Sequence, residues 1–118
     1  SLETGILDSD LFRDPAEEEA YGADPLVQRR ISAAHWIAIG VEQRRLVTEA
    51  DRLTLPTLLL LAGEDRIVST EAARGLSEAL PDVTVIEYAD AFHALHADPV
   101  SGAVFADLIE WARQRSAA

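Results

Sequence analysis

Two residues of this chain have the types and the placement to do proton chemistry together. Asp65 stands in GEDRIV, residues 63 to 68, and His93 in DAFHALHADP, residues 90 to 99. A carboxylate held against an imidazole fixes the ring's tautomer. It also stabilises the imidazolium that forms when the ring takes a proton from a nucleophile. Such a pair is two thirds of a nucleophilic triad. The two stand 28 positions apart, the length of one strand–helix–strand step. Neighbouring parallel strands lie about 4.8 Å apart, so loops at the same end of adjacent strands can bring an acid to an imidazole.

The other candidates have plainer roles. Glu64, beside Asp65, reads as a solvated acid. His96 competes with His93 as a base, but Ala97-Asp98-Pro99 after it puts it near the start of a helix. His35 falls within a helical stretch and reads as structural. Three scattered histidines without helical pairing do not make a metal site, and no glycine-rich loop is present to cradle a phosphate. No cofactor and no metal are therefore expected. The chain has no cysteine, which removes disulfides and thiolate chemistry.

The elements around the pair can be read from the apolar pattern. TLLLLA, residues 57 to 62, is a short continuous apolar run of the kind that forms a parallel strand buried on both faces. Ser69 to Leu80 reads as an amphipathic helix capped by Ser69 or Thr70 and ended by Pro81. VTVIEY, residues 83 to 88, is a second strand, and Pro99 to about Arg115 a last helix with Val100, Val104, Leu108 and Trp111 on one face. Upstream, Pro15 followed by three glutamates predicts a short helix capped by Asp14, with negative charge at the positive end of its dipole. Asp24-Pro25 is a second start signal. From Leu26 to about Val47 the pattern is helical, with Val27, Ile31, Ala34, Ala38 and Val41 on one face. Trp36, Ile37 and Ile39 widen that face, so this helix is expected to meet core, or to line an apolar channel, on more than one side.

Strands alternating with helices predict an α/β layer with a parallel sheet. In open α/β sheets the ligand crevice lies beyond the carboxyl ends of the strands, where both GEDRIV and DAFHALHADP fall. Two strands alone leave faces and edges uncovered, so the 118 residues are expected to be incomplete as a fold. The net charge of −11 argues against nucleic acid or an anionic membrane surface as partner. No apolar run approaches the roughly 20 residues that span a bilayer, and a cytoplasmic location is the expectation.

The segment LPTLLLLAGEDRIV, the following STEAARGLSEALPDVTVIEY and the loop FHALHADP resemble the C-terminal part of the α/β hydrolases. The resemblance is nearest to the monoacylglycerol lipase and lysophospholipase branch of serine esterases and lipases. That branch carries a proline-led strand, Gly-x-x-Asp with a following Val, and a histidine loop. Pro56, Gly63 and Asp65 within GEDRIV, and His93 correspond to these, with Gly63 two positions before Asp65 and not three. LFRDPAEEEAYGADPLV, residues 11 to 27, resembles the branch's cap region through Arg13-Asp14-Pro15, Tyr21 and Asp24 to Val27. The chain departs from the branch in reading His93-Ala94-Leu95 where His-Glu-Leu is common, with Asp98 as the acid five residues on.

The resemblance implies that Asp65 is the triad acid and His93 the triad base. It implies that residues 1–50 are the end of a cap or lid with its connecting helix. Residues 51–118 are then the C-terminal strand–helix–strand–helix part of the core. The implied reaction is hydrolysis of a carboxylic ester with an apolar acyl chain, such as a monoacylglycerol or lysophospholipid. The serine would lie outside this chain, since none of its serines sits in a Gly-x-Ser-x-Gly elbow. The expected partners are a small apolar ester and the missing N-terminal half of the hydrolase, without which the chain should be inactive. Other α/β-hydrolase chemistry stays open, namely a dehalogenase, a peptidase or a C–C bond hydrolase, as does a non-catalytic α/β interaction module.

Overall fold

A computed structural model of the chain describes residues 1–116. Its centre is a parallel pair of strands, β3 (Thr57–Ala62) and β4 (Val83–Tyr88), in register from Thr57 opposite Val83 to Ala62 opposite Tyr88. Both strands fall on the two apolar runs of the sequence. They are joined by α4 (Thr70–Ala79) and followed by α5 (Ser101–Ser116).

Side chains alternate across a strand, and their partners show which helix covers which face. Glu87 of β4 pairs with Arg74 of α4 through Arg74 Nε, 2.8 Å. Tyr88 donates its hydroxyl to Asp107 of α5 at 2.7 Å, and Trp111 of α5 donates to Thr84 at 3.2 Å. Thr84 and Tyr88 thus face α5, Glu87 faces α4, and the two helices cover opposite faces of the strand pair. Ser69 caps α4 by accepting from the Ala72 amide, and the Thr70 hydroxyl donates to the Ala62 carbonyl at 2.7 Å. The helix is thereby fastened to the end of the strand it follows.

The first half is looser. Short helices α1 (Asp8–Leu11) and α2 (Pro15–Ala23) precede α3 (Ala33–Thr48), and a two-residue antiparallel ladder joins β1 (Leu2–Glu3) to β2 (Arg30–Ile31). The α2 start is as expected, with Asp14 accepting from the Ala16 amide. Helix α3, however, begins at Ala33 and not at Leu26. Asp24-Pro25 does not open a helix: the Asp24 carboxylate accepts from the Leu26 amide at 2.8 Å and turns the chain. Ile31 pairs with Leu2, and Ser32 caps α3 through the His35 amide. His35 therefore lies in the first turn of α3, exposed to solvent, and not mid-helix.

No residue of α3 is buried by the rest of the chain, and Trp36, Ile37 and Val47 are each more than half exposed. The buried apolar residues are few, chiefly Phe12, Leu61, Leu80, Ala91, Ala94 and Val104. The accessible surface is 8,064 Å², against roughly 6,300 Å² for a compact protein of this mass. The radius of gyration is 16.1 Å, against about 13.5 Å for a compact domain of this length. Among the described residues neither outer edge of the β3–β4 pair carries a further strand. A parallel strand pair with a helix on each face is the α/β layer expected for the C-terminal portion of an α/β-hydrolase, and its strand edges and the apolar face of α3 are left uncovered.

Candidate active site

The two loops that follow β3 and β4 leave the sheet at the same end, because Ala62 and Tyr88 are register partners. The backbones meet closely there. Gly63 donates its amide to the Tyr88 carbonyl at 2.9 Å, and Glu64 donates to the Ala91 carbonyl at 3.0 Å. A Cβ at Gly63 would lie 2.1 Å from the Ala89 carbonyl oxygen, so only glycine allows this approach.

The loop after β3 then folds on its own carboxylate. Asp65 Oδ1 accepts from the Ile67 amide at 2.8 Å and from the Val68 amide at 3.0 Å. Its second oxygen, Oδ2, lies 2.8 Å from His93 Nδ1. The Asp65 side chain is 7 % exposed and that of His93 36 %. Burial by itself pushes the Asp65 carboxyl up, but the Val68 amide, His93 and the Ile67 amide together hold it below its ordinary value. An ionised carboxylate only accepts, so Nδ1 is the donor in this contact, and in the neutral ring Nε2 keeps the lone pair. Among the described residues Nε2 has no hydrogen-bond partner. The imidazole is thus tautomer-fixed on one side and open to a proton donor on the other.

The loop that carries His93 is held from outside the sheet. The amides on either side of the histidine are both engaged: Phe92 donates to Asp98 Oδ2 at 3.1 Å, and Ala94 donates to the Leu11 carbonyl at 3.0 Å. The Asp98 side chain is 1 % exposed and takes both fork nitrogens of Arg13, at 2.7 and 3.2 Å. Burial raises the Asp98 carboxyl, and Arg13 with the Phe92 and Val100 amides outweighs it, so this group too stays ionised below its ordinary range. Sequence reasoning marked Arg13 and Asp98 only as parts of separate motifs; 85 residues apart, they gave no sign of pairing.

His96 is exposed on a 3₁₀ turn, Leu95–Ala97, and Glu64 is exposed as well. Neither joins the pair. Among the described residues no group of three or more His, Asp or Glu side chains comes together as a metal site, and no helix is long and apolar enough to cross a membrane.

A cavity of about 500 Å³ opens beside the Asp65 loop, within the usual size of small-molecule sites. Ile67 and Val68 wall it on one side and Trp36, Ile39 and Gly40 of α3 on the other. Arg66 and Asp10 also line it, 3.8 Å apart, and the Arg66 guanidinium lies 4.1 Å from the Phe92 ring centre. Trp36 and Ile39, two of the residues that widen the α3 face, thus meet a space and not a packed neighbour, while Ile37 faces solvent.

Residues 1–100 match the family model described as serine aminopeptidase, S33. The monoglyceride lipase of Rattus norvegicus is 31 % identical over 126 residues, covering 99 % of this chain and 41 % of that protein. That of Mus musculus is 32 % identical over 127 residues, with 100 % and 41 % covered. The crystal structure of the monoacylglycerol lipase of Paleococcus ferrophilus superposes with a TM-score of 0.90 at 33 % identity, over 93 % of this chain and 44 % of that one. The chain spans about two fifths of the length of the curated relatives it matches. The match over residues 1–100, the likeness to a solved lipase and the α/β architecture lead to one conclusion: the chain belongs to the S33 serine aminopeptidase family of α/β-hydrolases.

Proposed function

We propose that this chain supplies the acid and the base of a Ser-His-Asp triad in a hydrolase of carboxylic esters, the serine coming from sequence outside it. One observation carries the proposal: His93 Nδ1 lies 2.8 Å from the carboxylate of Asp65, whose side chain is 7 % exposed, beyond the carboxyl ends of two parallel strands. Asp65 would hold the imidazole in the tautomer that leaves Nε2 basic. His93 would take the serine proton as the nucleophile attacks the ester carbonyl, then return it to the leaving alcohol. The acyl-serine would be cleared by water, activated through the same nitrogen.

The substrate we assign is an ester with an apolar acyl chain, of the monoacylglycerol kind. The names of the similar lipases support it, as does a cavity whose walls are Trp36, Ile39, Ile67 and Val68. Residues 1–50 would close the cap over that cavity and residues 51–118 complete the core. A cytoplasmic location belongs to the same reading, and cell fractionation tests it. The family's description favours a second substrate class, peptides with a free N-terminus. Such a substrate needs an acid for its ammonium, and Asp10 lines the cavity with its charge already beside Arg66.

The test is kinetic, in the complete hydrolase that contains these residues. Asp65→Asn should lower kcat about 10⁴-fold through the wrong imidazole tautomer, and His93→Ala should abolish turnover of a monoacylglycerol ester. Unchanged hydrolysis in either variant would refute the assignment. Faster cleavage of an aminoacyl anilide than of the ester would select the peptidase class.

A further inference from the structure

We infer that Arg13 and Asp98 form a clamp that sets the position of the His93 imidazole, so that the cap-side segment of the chain helps to aim the catalytic base. The inference rests on the triad assigned above and goes beyond it, to groups that touch neither Asp65 nor the substrate.

His93 belongs to a loop with no ladder or helix of its own. A histidine on such a loop must be aimed by the bonds of its neighbours. Two such bonds flank it. The Phe92 amide ends on Asp98, and the Ala94 amide ends on the Leu11 carbonyl. Asp98 in turn accepts from the Val100 amide at 3.1 Å, so one carboxylate ties the residue before His93 to the entry of α5. That carboxylate is wholly buried, and its charge is matched by the bidentate guanidinium of Arg13. Bidentate arginine–carboxylate pairs combine strength with fixed geometry.

Leu11 ends α1 and Arg13 follows two residues on; between them Phe12, with extended backbone, is buried and tilted against Tyr21 at 5.1 Å between ring centres. That segment therefore grips the histidine loop twice, through a carbonyl and through a guanidinium. A buried carboxylate stripped of its cation is costly, so losing Arg13 would leave Asp98 to draw water or protons and release Phe92. The ring of His93 would then move relative to Asp65 and to the nucleophile. These two residues are positioning residues and touch no reacting atom.

The test uses the complete hydrolase with Arg13→Gln, Arg13→Lys, Asp98→Asn and His93→Ala, each assayed where circular dichroism shows it folded. The clamp predicts kcat lower by about 10- to 100-fold in Arg13→Gln and Asp98→Asn, with KM nearly constant, the effect of a misplacement of about 1 Å. Arg13→Lys keeps the charge and loses the fork, and recovers part of that deficit. The low-field proton resonance of His93 Nδ1–H should weaken in step with kcat, which a merely structural role would not cause. The Arg13 side chain is 31 % exposed, so its variants remain informative should Asp98→Asn not fold. Folded Arg13 variants with parental kcat and resonance, beside an inactive His93→Ala, overturn the clamp and leave the triad standing. An active His93→Ala overturns both.

Discussion

Replacing Gly63 with alanine tests the frame that brings the two loops together. The added methyl would lie 2.1 Å from the Ala89 carbonyl oxygen and 2.7 Å from the Ala89 carbonyl carbon and Cα. Carbon–oxygen contacts settle near about 3.3 Å, so the ends of β3 and β4 must part by more than about 1 Å. The obstacle is backbone, and no side chain can swing away. Overpacking that forces backbone shifts costs about 3 kcal/mol at the upper end of its range. The Gly63 and Glu64 amide bonds to Tyr88 and Ala91 would weaken by about 1 kcal/mol each. A total of about 5 kcal/mol, at a urea slope of about 2 kcal/mol/M, moves the unfolding midpoint down by about 2.5 M. The same parting stretches the 2.8 Å contact between His93 and Asp65 beyond hydrogen-bond range, so ester hydrolysis should fall about 100-fold in the folded fraction. Gly75 is the control. It lies within α4 with nothing within 4 Å of its built Cβ, and alanine there should stabilise by roughly 0.5–1 kcal/mol. A Gly63→Ala protein with the parental midpoint and the parental kcat would show that the close approach is not a constraint.

Two further outcomes follow from the ionisable groups. Asp65 and Asp98 both have folded values below the ordinary one. Their stabilisation is therefore complete above about pH 4 and is lost as pH falls through the lower folded values. Urea titrations between pH 7 and 2 should show the stability gap between the parent and Asp65→Asn closing in acid, and a gap that stays constant would contradict the assignment. Burial and then Asp107 push the Tyr88 hydroxyl up to about 12. Its contribution is full below about pH 10 and disappears as pH rises toward the folded value. The ultraviolet absorbance of tyrosinate, compared between parent and Tyr88→Phe, should show that Tyr88 ionises near pH 12, and ionisation near pH 10 would refute the hydrogen bond to Asp107.

The second half of the chain was largely legible from its residues. TLLLLA and VTVIEY could be nothing but strands in this setting, Ser69 announced α4, and the Asp65–His93 pairing followed from placing their loops at one end of a parallel sheet. The first half was less so. Val27 and Ile31 fit a helical period, but the Asp24 carboxylate captures the Leu26 amide and Ile31 is needed opposite Leu2. A local bond and a two-residue ladder thus outweigh periodicity, and a ladder that short has no alternation to read. The contact between Arg13 and Asp98 was hidden for another reason. Charge pairs far apart in sequence leave no local trace, and Asp98 already had a place in the family pattern as the acid five residues past His93.

The register of β3 on β4 bears on how much this family's sequences can vary in length. Asp65 lies three residues past Ala62 and His93 five past Tyr88, and Ala62 and Tyr88 are directly paired. The meeting of acid and base is therefore set by distance from the strand ends, and their separation of 28 positions is incidental. An insertion at Pro81 or a longer α4 would change that number and leave the two side chains in place. One residue inserted within Val83–Tyr88 would turn the faces of β4 over and carry the histidine loop about 3.3 Å along the sheet. Loop lengths in relatives should accordingly drift through the α4 excursion and stay fixed in the strands, and the turn at Pro81 is the place to graft a tag or a sensor domain.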